Sequence, residues 1–334
     1  MAAPASLAQR FGGHAPSKAQ FGSASGTEAA AGIAGVELTA HALASRLPDL
    51  MVEAKRVANT VAHGIHGRRR AGPGETFWQF RQVQPGDPVT SIDWRRSASS
   101  DHLYLREREW EAAHTVWLWP DLSPSMDFQS HLARTPKGER ALVLMLAMAE
   151  LLIGGGERIG MLGALPPTGS RNAVEKLAQA VLRVKPTAAA RESLPPALTL
   201  SRFNGVLLFG DFLDPVDEIT ARVKAIAAAG VSGHIVQILD PAEETLPYDG
   251  RVEFIASEGG DRVLANRTET LRGGYAARIA AHKAALTDLA RRLEWTHTVH
   301  HTDRPAEETL LALHNRLTDS AGRIGTADTL GRGV

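Results

Sequence analysis

The chain has 334 residues, enough for about two domains, and its 43% hydrophobic and 22% charged residues are typical of a protein with a sizeable core. Lysine and arginine together number 37, as do aspartate and glutamate, so no excess positive charge favours binding to nucleic acid. Cysteine is absent, which excludes disulfide scaffolds, cysteine-ligated metal sites and thiol nucleophiles. Any metal site must therefore use oxygen or imidazole ligands.

We expect neither a secretory signal in the N-terminal stretch nor a membrane span in the longest apolar stretch. Residues 141–153 are interrupted by Glu150 and fall short of the ~20 apolar residues that a transmembrane helix needs. Residues 1–36 are rich in alanine, glycine and serine, have no long apolar core, and predict a disordered tail. We therefore expect a cytoplasmic protein with no integral membrane segment and with a second flexible tail over residues 319–334.

Residues 37–111 are predicted to form a helical region followed by a β-rich segment. Leucine and valine recur at helical spacing over residues 37–62, and Pro48 is expected to divide this helix into two pieces. Two short extended pieces follow, at residues 77–83 and 102–107, with a turn rich in proline and glycine between them. We expect these pieces to form a small β-rich module.

Strands and helices then alternate over residues 112–318. The predicted strands lie at residues 114–119, 158–165, 205–209, 233–239 and 295–300, the predicted helices at 137–153, 171–184, 217–229, 275–293 and 306–317, and a small β meander at 246–268. Continuous apolar strands that alternate with helices predict an α/β fold with a mostly parallel sheet and helices on both faces. Such a sheet binds its ligands at the carboxyl ends of the strands.

Three of the predicted strands end at an aspartate: Asp121, Asp211 and Asp240. The first begins the pattern D-x-S-x-S, in which the carboxylate and the hydroxyls of Ser123 and Ser125 point the same way in one turn. Asp211, at the end of a neighbouring strand, can supply a second carboxylate. Oxygen ligands of this kind suit Mg²⁺ or Mn²⁺. The alternative is that Asp121 and Asp211 only cap the helices that follow them.

These four side chains resemble the metal-ion-dependent adhesion site of von Willebrand factor A domains. The resemblance implies a Rossmann-like three-layer domain over residues 112–318 and a divalent ion that an acidic side chain of a partner protein completes. Such a site normally has a threonine on a loop before the later aspartate-bearing strand, and the matching stretch here offers Thr187, Glu192 or Ser193. The small polar residue expected before Asp211 is Gly210.

A second set of motifs lies in the segment before the sheet. Its conspicuous residues are Glu75, Arg81, Gly86, Asp87, Asp93, Trp94, Arg95, Arg106 and Glu107. Together with Tyr275 and the run Thr302–Pro305, this set resembles the signature of the bacterial domain-of-unknown-function 58 (DUF58) family over about residues 60–318. The sequence departs from the family pattern at three positions, which hold Val83, Pro88 and Ser99. The alternating charges around Trp94 favour a buried structural ion-pair network over a catalytic site.

The DUF58 resemblance implies a non-enzymatic protein-binding module that works with a MoxR-type AAA+ ATPase in chaperone-like assembly or maturation of a client protein. The sequence has no Walker motif, so ATP hydrolysis would come from that partner. One alternative is a Mg²⁺-dependent, phosphatase-like hydrolase that uses Asp121, although Ser123 occupies the position of the usual second aspartate. Another is a metal-free scaffold. A zinc site at His297, His300 and His301 lacks a third ligand on the same strand face.

Overall fold

The structure is a computed structural model. It describes residues 2–3, 27–66, 79–83, 89, 92–107, 114–184, 192–256 and 262–317. The chain divides into two compact units, one formed by residues 1–62 with 114–334 and the other by residues 63–113. The predicted tail at 319–334 lies outside the described residues.

The described elements alternate along the larger unit as the sequence predicts. In chain order the strands are β1 (Ala2–Ala3), β2 (Gln79–Gln82), β3 (Tyr104–Glu107), β4 (Thr115–Pro120), β5 (Arg158–Met161), β6 (Leu165–Thr168), β7 (Gly205–Gly210), β8 (Ser232–Leu239), β9 (Val252–Ala256), β10 (Arg262–Ala265) and β11 (Thr296–His301). The α-helices are α1 (Thr27–His66), α2 (Trp94–Ser97), α3 (Lys137–Gly154), α4 (Ala173–Val184), α5 (Val216–Ala227), α6 (Pro241–Thr245), α7 (Arg272–Arg292) and α8 (306–317).

The central sheet has six strands in the order β11-β8-β7-β4-β5-β6. All neighbours are parallel except β5 and β6, so the prediction of a mixed α/β fold with a mostly parallel sheet is confirmed. Val206 and Leu208 of β7 pack with Ile219 of α5 and Leu286 of α7 on one face. The alternate side chains of β7 point to the other face, where α3 packs.

The order of the strands contains a switch point between β4 and β7. After β4 the chain adds β5 on one side, and after α4 it adds β7 on the other. At such a point the loops run away from each other and leave a crevice at the carboxyl ends of the strands, where α/β proteins bind ligands. Asp121 follows β4 and Asp211 follows β7, so both side chains leave the sheet at this crevice.

Helix α1 continues through Pro48, so the prediction of two helical pieces is wrong. A proline removes one backbone hydrogen bond from a helix, but tertiary packing supplies most of the stability of a helix in a folded protein. Leu47, Leu50 and Ala54 are buried around this position. An ion pair between Arg46 and Glu139 of α3, at 2.7 Å, also holds α1 on the larger unit.

The predicted tail over residues 1–36 is also partly wrong. Helix α1 begins at Thr27, and the Ala2–Ala3 strand pairs with β9. The alanine-rich run after Thr27 explains the early start, because alanine has the highest intrinsic helix propensity.

The predicted strand at residues 158–165 is instead a hairpin. β5 ends at Met161, and β6 returns antiparallel to it as the edge strand of the sheet. Gly163 has φ +71° in the connecting turn, a conformation that glycine adopts without steric cost. The predicted meander is the antiparallel pair β9 and β10. Among the described residues, no helix combines the length and the apolar character needed to cross a bilayer.

The smaller unit contains the antiparallel pair β2 and β3 and the one-turn helix α2. Asp93 caps α2, since its Oδ1 accepts a hydrogen bond of 3.0 Å from the Arg96 amide. Ser97 links α2 to β3, because its hydroxyl accepts a hydrogen bond of 2.9 Å from the Tyr104 amide. Trp94 is 60% exposed. Most of the charged residues predicted to form ion pairs around it have no described side chain, so the buried ion-pair network stays a prediction.

Candidate functional site

The four predicted site residues come together at the switch point of the sheet. The backbone amide of Asp121 donates to the Phe209 carbonyl at 2.7 Å, which extends the β4–β7 ladder by one residue beyond β4. Asp121 Oδ1 accepts a hydrogen bond of 2.8 Å from the Ser123 amide, and the Ser123 and Ser125 hydroxyls lie 3.1 Å apart. The Ser125 hydroxyl donates to Asp211 Oδ2 at 2.9 Å, which joins the two strand ends.

Asp121 is fully buried, and one of its oxygens has no partner. No hydrogen-bond donor in the described structure reaches Oδ2. Burial raises the pKa of Asp121 well above its ordinary value, and the charge of Asp211 adds to the effect. Burying a charged carboxylate oxygen without a partner is energetically unfavourable, so we expect Oδ2 either to be protonated or to bind a cation.

Gly210 lies directly beside Asp121. A Cβ atom at this position would lie 2.9 Å from Asp121 Cβ and 3.2 Å from its Oδ2. The close approach of the two strand ends explains why glycine replaces the expected small polar residue here.

We predict that Gly210→Ala lowers the free energy of unfolding by about 1–3 kcal/mol, because the new methyl group must displace Asp121. Urea denaturation monitored by tryptophan fluorescence measures the change. Gly154→Ala is the matched control, since a Cβ there meets nothing within 4 Å. Equal stabilities of the two variants would contradict the crowding argument.

Two further charged residues, which the sequence did not single out, complete the cluster. Lys137, the first residue of α3, donates to Asp211 Oδ2 at 2.7 Å and to Glu243 Oε1 at 2.6 Å. Lys137 is 0% exposed and Glu243 2%. Burial alone would lower the pKa of Lys137, but Asp211 and Glu243 raise it above its ordinary value. Burial raises the pKa of Glu243 to about 7, against the opposing effect of Lys137.

Sequence signals for these two residues exist but are weak. A lysine in the first turn of a helix faces the positive end of the helix dipole, so Lys137 stands where an acidic residue is usual. Glu243 is the third helical residue after Asp240, in the spacing of a capping box, and its Oε2 accepts a hydrogen bond of 2.9 Å from the Asp240 amide. The third strand-end aspartate, Asp240, thus serves as a helix cap and also accepts a 2.8 Å hydrogen bond from the Ser130 amide.

The loop that should hold the threonine of an adhesion site supplies no such ligand in the described residues. Thr187 lies outside them, and Glu192 is exposed. The hydroxyl of Ser193 donates to Asp214 Oδ1 at 2.8 Å, three residues beyond Asp211.

The backbone next to Asp211 is strained. Phe212 is fully buried with φ +48°, in the left-handed region that bulky residues rarely adopt. His282 Nε2 lies 2.6 Å from the Phe212 carbonyl oxygen, and the Asp211 carbonyl accepts a 2.9 Å hydrogen bond from Gln237. These contacts hold the backbone at Phe212, directly after Asp211, in a conformation that the chain rarely adopts by itself, which is a common property of functional sites.

The divalent cation implied by the resemblance can be tested against these side chains. Adjacent ligands of an octahedral Mg²⁺ shell lie about 2.9 Å apart. The Ser123–Ser125 and Ser125–Asp211 distances of 3.1 and 2.9 Å match this spacing, although ordinary hydrogen bonds have the same length. The unpartnered Oδ2 of Asp121 adds a carboxylate oxygen that has no donor to compete with a cation. The side chains present therefore fit Mg²⁺ or Mn²⁺.

A comparison with protein-family models matches residues 79–285 to the family described as protein of unknown function DUF58. The chain belongs to the DUF58 family. Two relatives are uncharacterised proteins of Mycobacterium bovis and Mycobacterium tuberculosis, each 30% identical over 270 residues that cover 75% of this chain and 81% of theirs. Among solved structures, the conserved hypothetical protein BatB from Bacteroides thetaiotaomicron matches 62% of this chain and all of its own, with 14% identity and a TM-score of 0.33.

The DUF58 signature residues are only partly described. Glu75, Gly86 and Asp87 lie outside the described residues, as do the side chains of Arg81, Arg106 and Glu107. Of the remaining three, Asp93 is a helix cap, and Trp94 and Arg95 are exposed. In the C-terminal part of the match, the Tyr275 hydroxyl donates to the carbonyl of Glu243, which ties α7 to the site cluster.

The three histidines of β11 do not form a common site. Each contacts a different partner: His297 contacts Gln237, His300 contacts Thr309, and His301 contacts Glu244. Within the part of the chain that the structure describes, no three histidine, aspartate or glutamate side chains are grouped as a metal site. A metal at the switch point would therefore depend on the serine hydroxyls.

Proposed function

We propose that this DUF58 chain is a non-enzymatic protein-binding module with a von Willebrand factor A-like site. Asp121, Ser123, Ser125 and Asp211 would hold Mg²⁺ or Mn²⁺, and an acidic side chain of a partner would complete the shell. When bound, the ion supplies a fixed positive charge that attracts a carboxylate. The observation that carries the proposal is the convergence of these oxygens at the switch point, with Asp121 Oδ2 left unpartnered.

The partner that the family resemblance favours is a MoxR-type AAA+ ATPase, with a client protein whose assembly or maturation the pair assists in the cytoplasm. The neutral net charge of the chain suits a protein partner better than nucleic acid. The absence of a Walker motif from the sequence leaves ATP hydrolysis to the partner.

A partner must reach side chains that are buried. A cavity of about 140 Å³ lies beside the site, with Asp121, Leu122 and Met126 on one side and Ala42 and Leu43 of α1 on the other. Asp121 itself is 0% exposed. Access to its free oxygen therefore requires a movement of α1 or of the turn after β4, and this cavity is where such a movement would open the site.

The experiment is affinity capture from a lysate of the source organism on the immobilised full chain. We expect an AAA+ ATPase, identified by mass spectrometry, to be retained in Mg²⁺ and released by EDTA. Asp121→Ala should lose the ATPase, whereas Asp217→Ala, at an exposed position on α5 away from this cavity, should retain it. Equal retention of the ATPase by wild type and Asp121→Ala would contradict the proposal.

The alternative of a Mg²⁺-dependent hydrolase has a separate test. A phosphatase of this type needs an acid two residues after its nucleophile, and Ser123 at that position carries a hydroxyl group, which does not serve as a general acid near neutral pH. Turnover of p-nitrophenyl phosphate with Mg²⁺, lost in Asp121→Asn, would favour the hydrolase over the binding module.

A further inference from the structure

Lys137 places a permanent positive charge inside the candidate metal site. Its ammonium bonds Asp211 Oδ2 and Glu243 Oε1, and it lies 5.9 Å from the centre of the Phe128 ring. The side chain is 0% exposed, so the ammonium has no solvent to screen it. The oxygen it binds on Asp211 is the same oxygen that Ser125 contacts.

The ammonium neutralises only part of the cluster. Asp121, Asp211 and Glu243 bring three carboxylates together, against the single charge of Lys137. Asp121 makes no ion pair with Lys137 and keeps a free oxygen, Oδ2. The cluster is therefore divided into an Asp211–Glu243 side that already holds a cation and an Asp121 side that does not.

A divalent ion bound to the Asp211 carboxylate would lie within a few ångströms of the ammonium. Like charges at this separation repel strongly where water is excluded, so each cation weakens the binding of the other. An additional carboxylate from a partner would offset this repulsion, because it adds a negative charge on the side of the ion.

We propose that Lys137 is a resident cation that competes with the divalent ion for Asp211, so that the ion binds firmly only together with a partner's carboxylate. This inference rests on the proposed function, and it adds a mechanism by which ion binding at the proposed metal site is regulated. Lys137 is a positioning residue in this scheme, since it keeps the Asp211 carboxylate paired and in place until the partner arrives.

The test is a titration with Mn²⁺ alone, followed by the electron paramagnetic resonance signal of free Mn²⁺. The wild-type chain is expected to bind weakly, with a dissociation constant on the order of 0.1 mM or above. Lys137→Met should bind Mn²⁺ at least about tenfold more tightly, because it removes the competing charge. Adding Asp121→Asn to Lys137→Met should abolish the gain.

A second variant separates local competition from net charge and guards against misfolding. Lys137→Met with Glu243→Gln keeps the formal net charge of the wild-type cluster but frees Asp211, and circular dichroism checks its fold. It should still bind Mn²⁺ more tightly than wild type. The proposal is overturned if neither variant gains affinity, or if wild type already binds with a dissociation constant on the order of 1 μM.

These outcomes do not depend on the partner. Loss of ATPase capture would leave the Mn²⁺ result intact, and an unchanged Mn²⁺ affinity in the Lys137 variants would leave the capture result intact. Failure of the inference is therefore distinguishable from failure of the proposed function.

Discussion

Lys137→Met is expected to lower the free energy of unfolding by about 3–5 kcal/mol in the absence of divalent ions. Removing one member of a buried ion pair leaves the other uncompensated in a medium that solvates charge poorly. Here two carboxylates, Asp211 and Glu243, lose their counter-ion together. Urea denaturation at pH 7, monitored by tryptophan fluorescence, measures the change.

The exposed Lys224→Met is the matched control, and its effect should stay within about 0.5 kcal/mol. A triple variant with Lys137→Met, Asp211→Asn and Glu243→Gln should recover part of the loss, because neutral side chains carry a smaller desolvation cost. A loss below about 1 kcal/mol for Lys137→Met would mean that the pair is solvated and that the site is open.

The second large effect is a loss of stability in acid that two buried histidines cause. Burial lowers the pKa of His234 to about 4 and that of His300 to about 3, and nearby arginines add to both shifts. In the unfolded chain a histidine titrates near 6.5, so below that pH the unfolded state takes up protons that the folded state refuses. The contribution of these two histidines to the free energy of unfolding is therefore present above pH 6.5 and is lost as the pH falls towards 4.

Each of these histidines should remove about 2 kcal/mol of unfolding free energy between pH 7 and pH 5. The double variant His234→Gln and His300→Gln should therefore lose about 4 kcal/mol less than wild type over this interval. Glu243 also contributes to the pH dependence, because its raised pKa makes its contribution to the free energy of unfolding increase as the pH falls. This contribution is the same in wild type and the double variant, so it cancels when their pH profiles are compared. Urea denaturation at several pH values provides the data, and His131→Gln, at an exposed position, is the control. Parallel pH profiles of wild type and the double variant would refute the assignment.

The sheet could be predicted from the sequence because its signal is local. Short, continuous apolar runs such as Gly205–Gly210 indicate buried parallel strands where helices alternate with them. The exceptions depend on packing at a distance. Helix α1 continues through Pro48 because the side chains on either side of the proline are buried against the rest of the protein. The turn at Gly163 interrupts an apolar run because this one glycine adopts a positive φ.

The candidate site, like the sheet, could be predicted from the sequence only where the signal is local. The D-x-S-x-S turn and the strand-end rule identify Asp121 and Asp211, because each is read from its own strand. Lys137 could not be found in this way, since its partners Asp211 and Glu243 lie 74 and 106 residues further along the chain. A lysine at a helix start is ordinarily a solvated surface residue, and only the assembled fold shows that this one is buried.

The wall that α1 provides for the cavity beside Asp121 has a kinetic consequence. Since Asp121, Ser123 and Ser125 are almost completely shielded, an ion cannot enter or leave before the surrounding segments move apart. The exchange rate of an ion would then be set by the frequency of this opening rather than by the strength of its bonds to oxygen. A substitution in α1 that leaves affinity unchanged could still alter how long each ion stays bound.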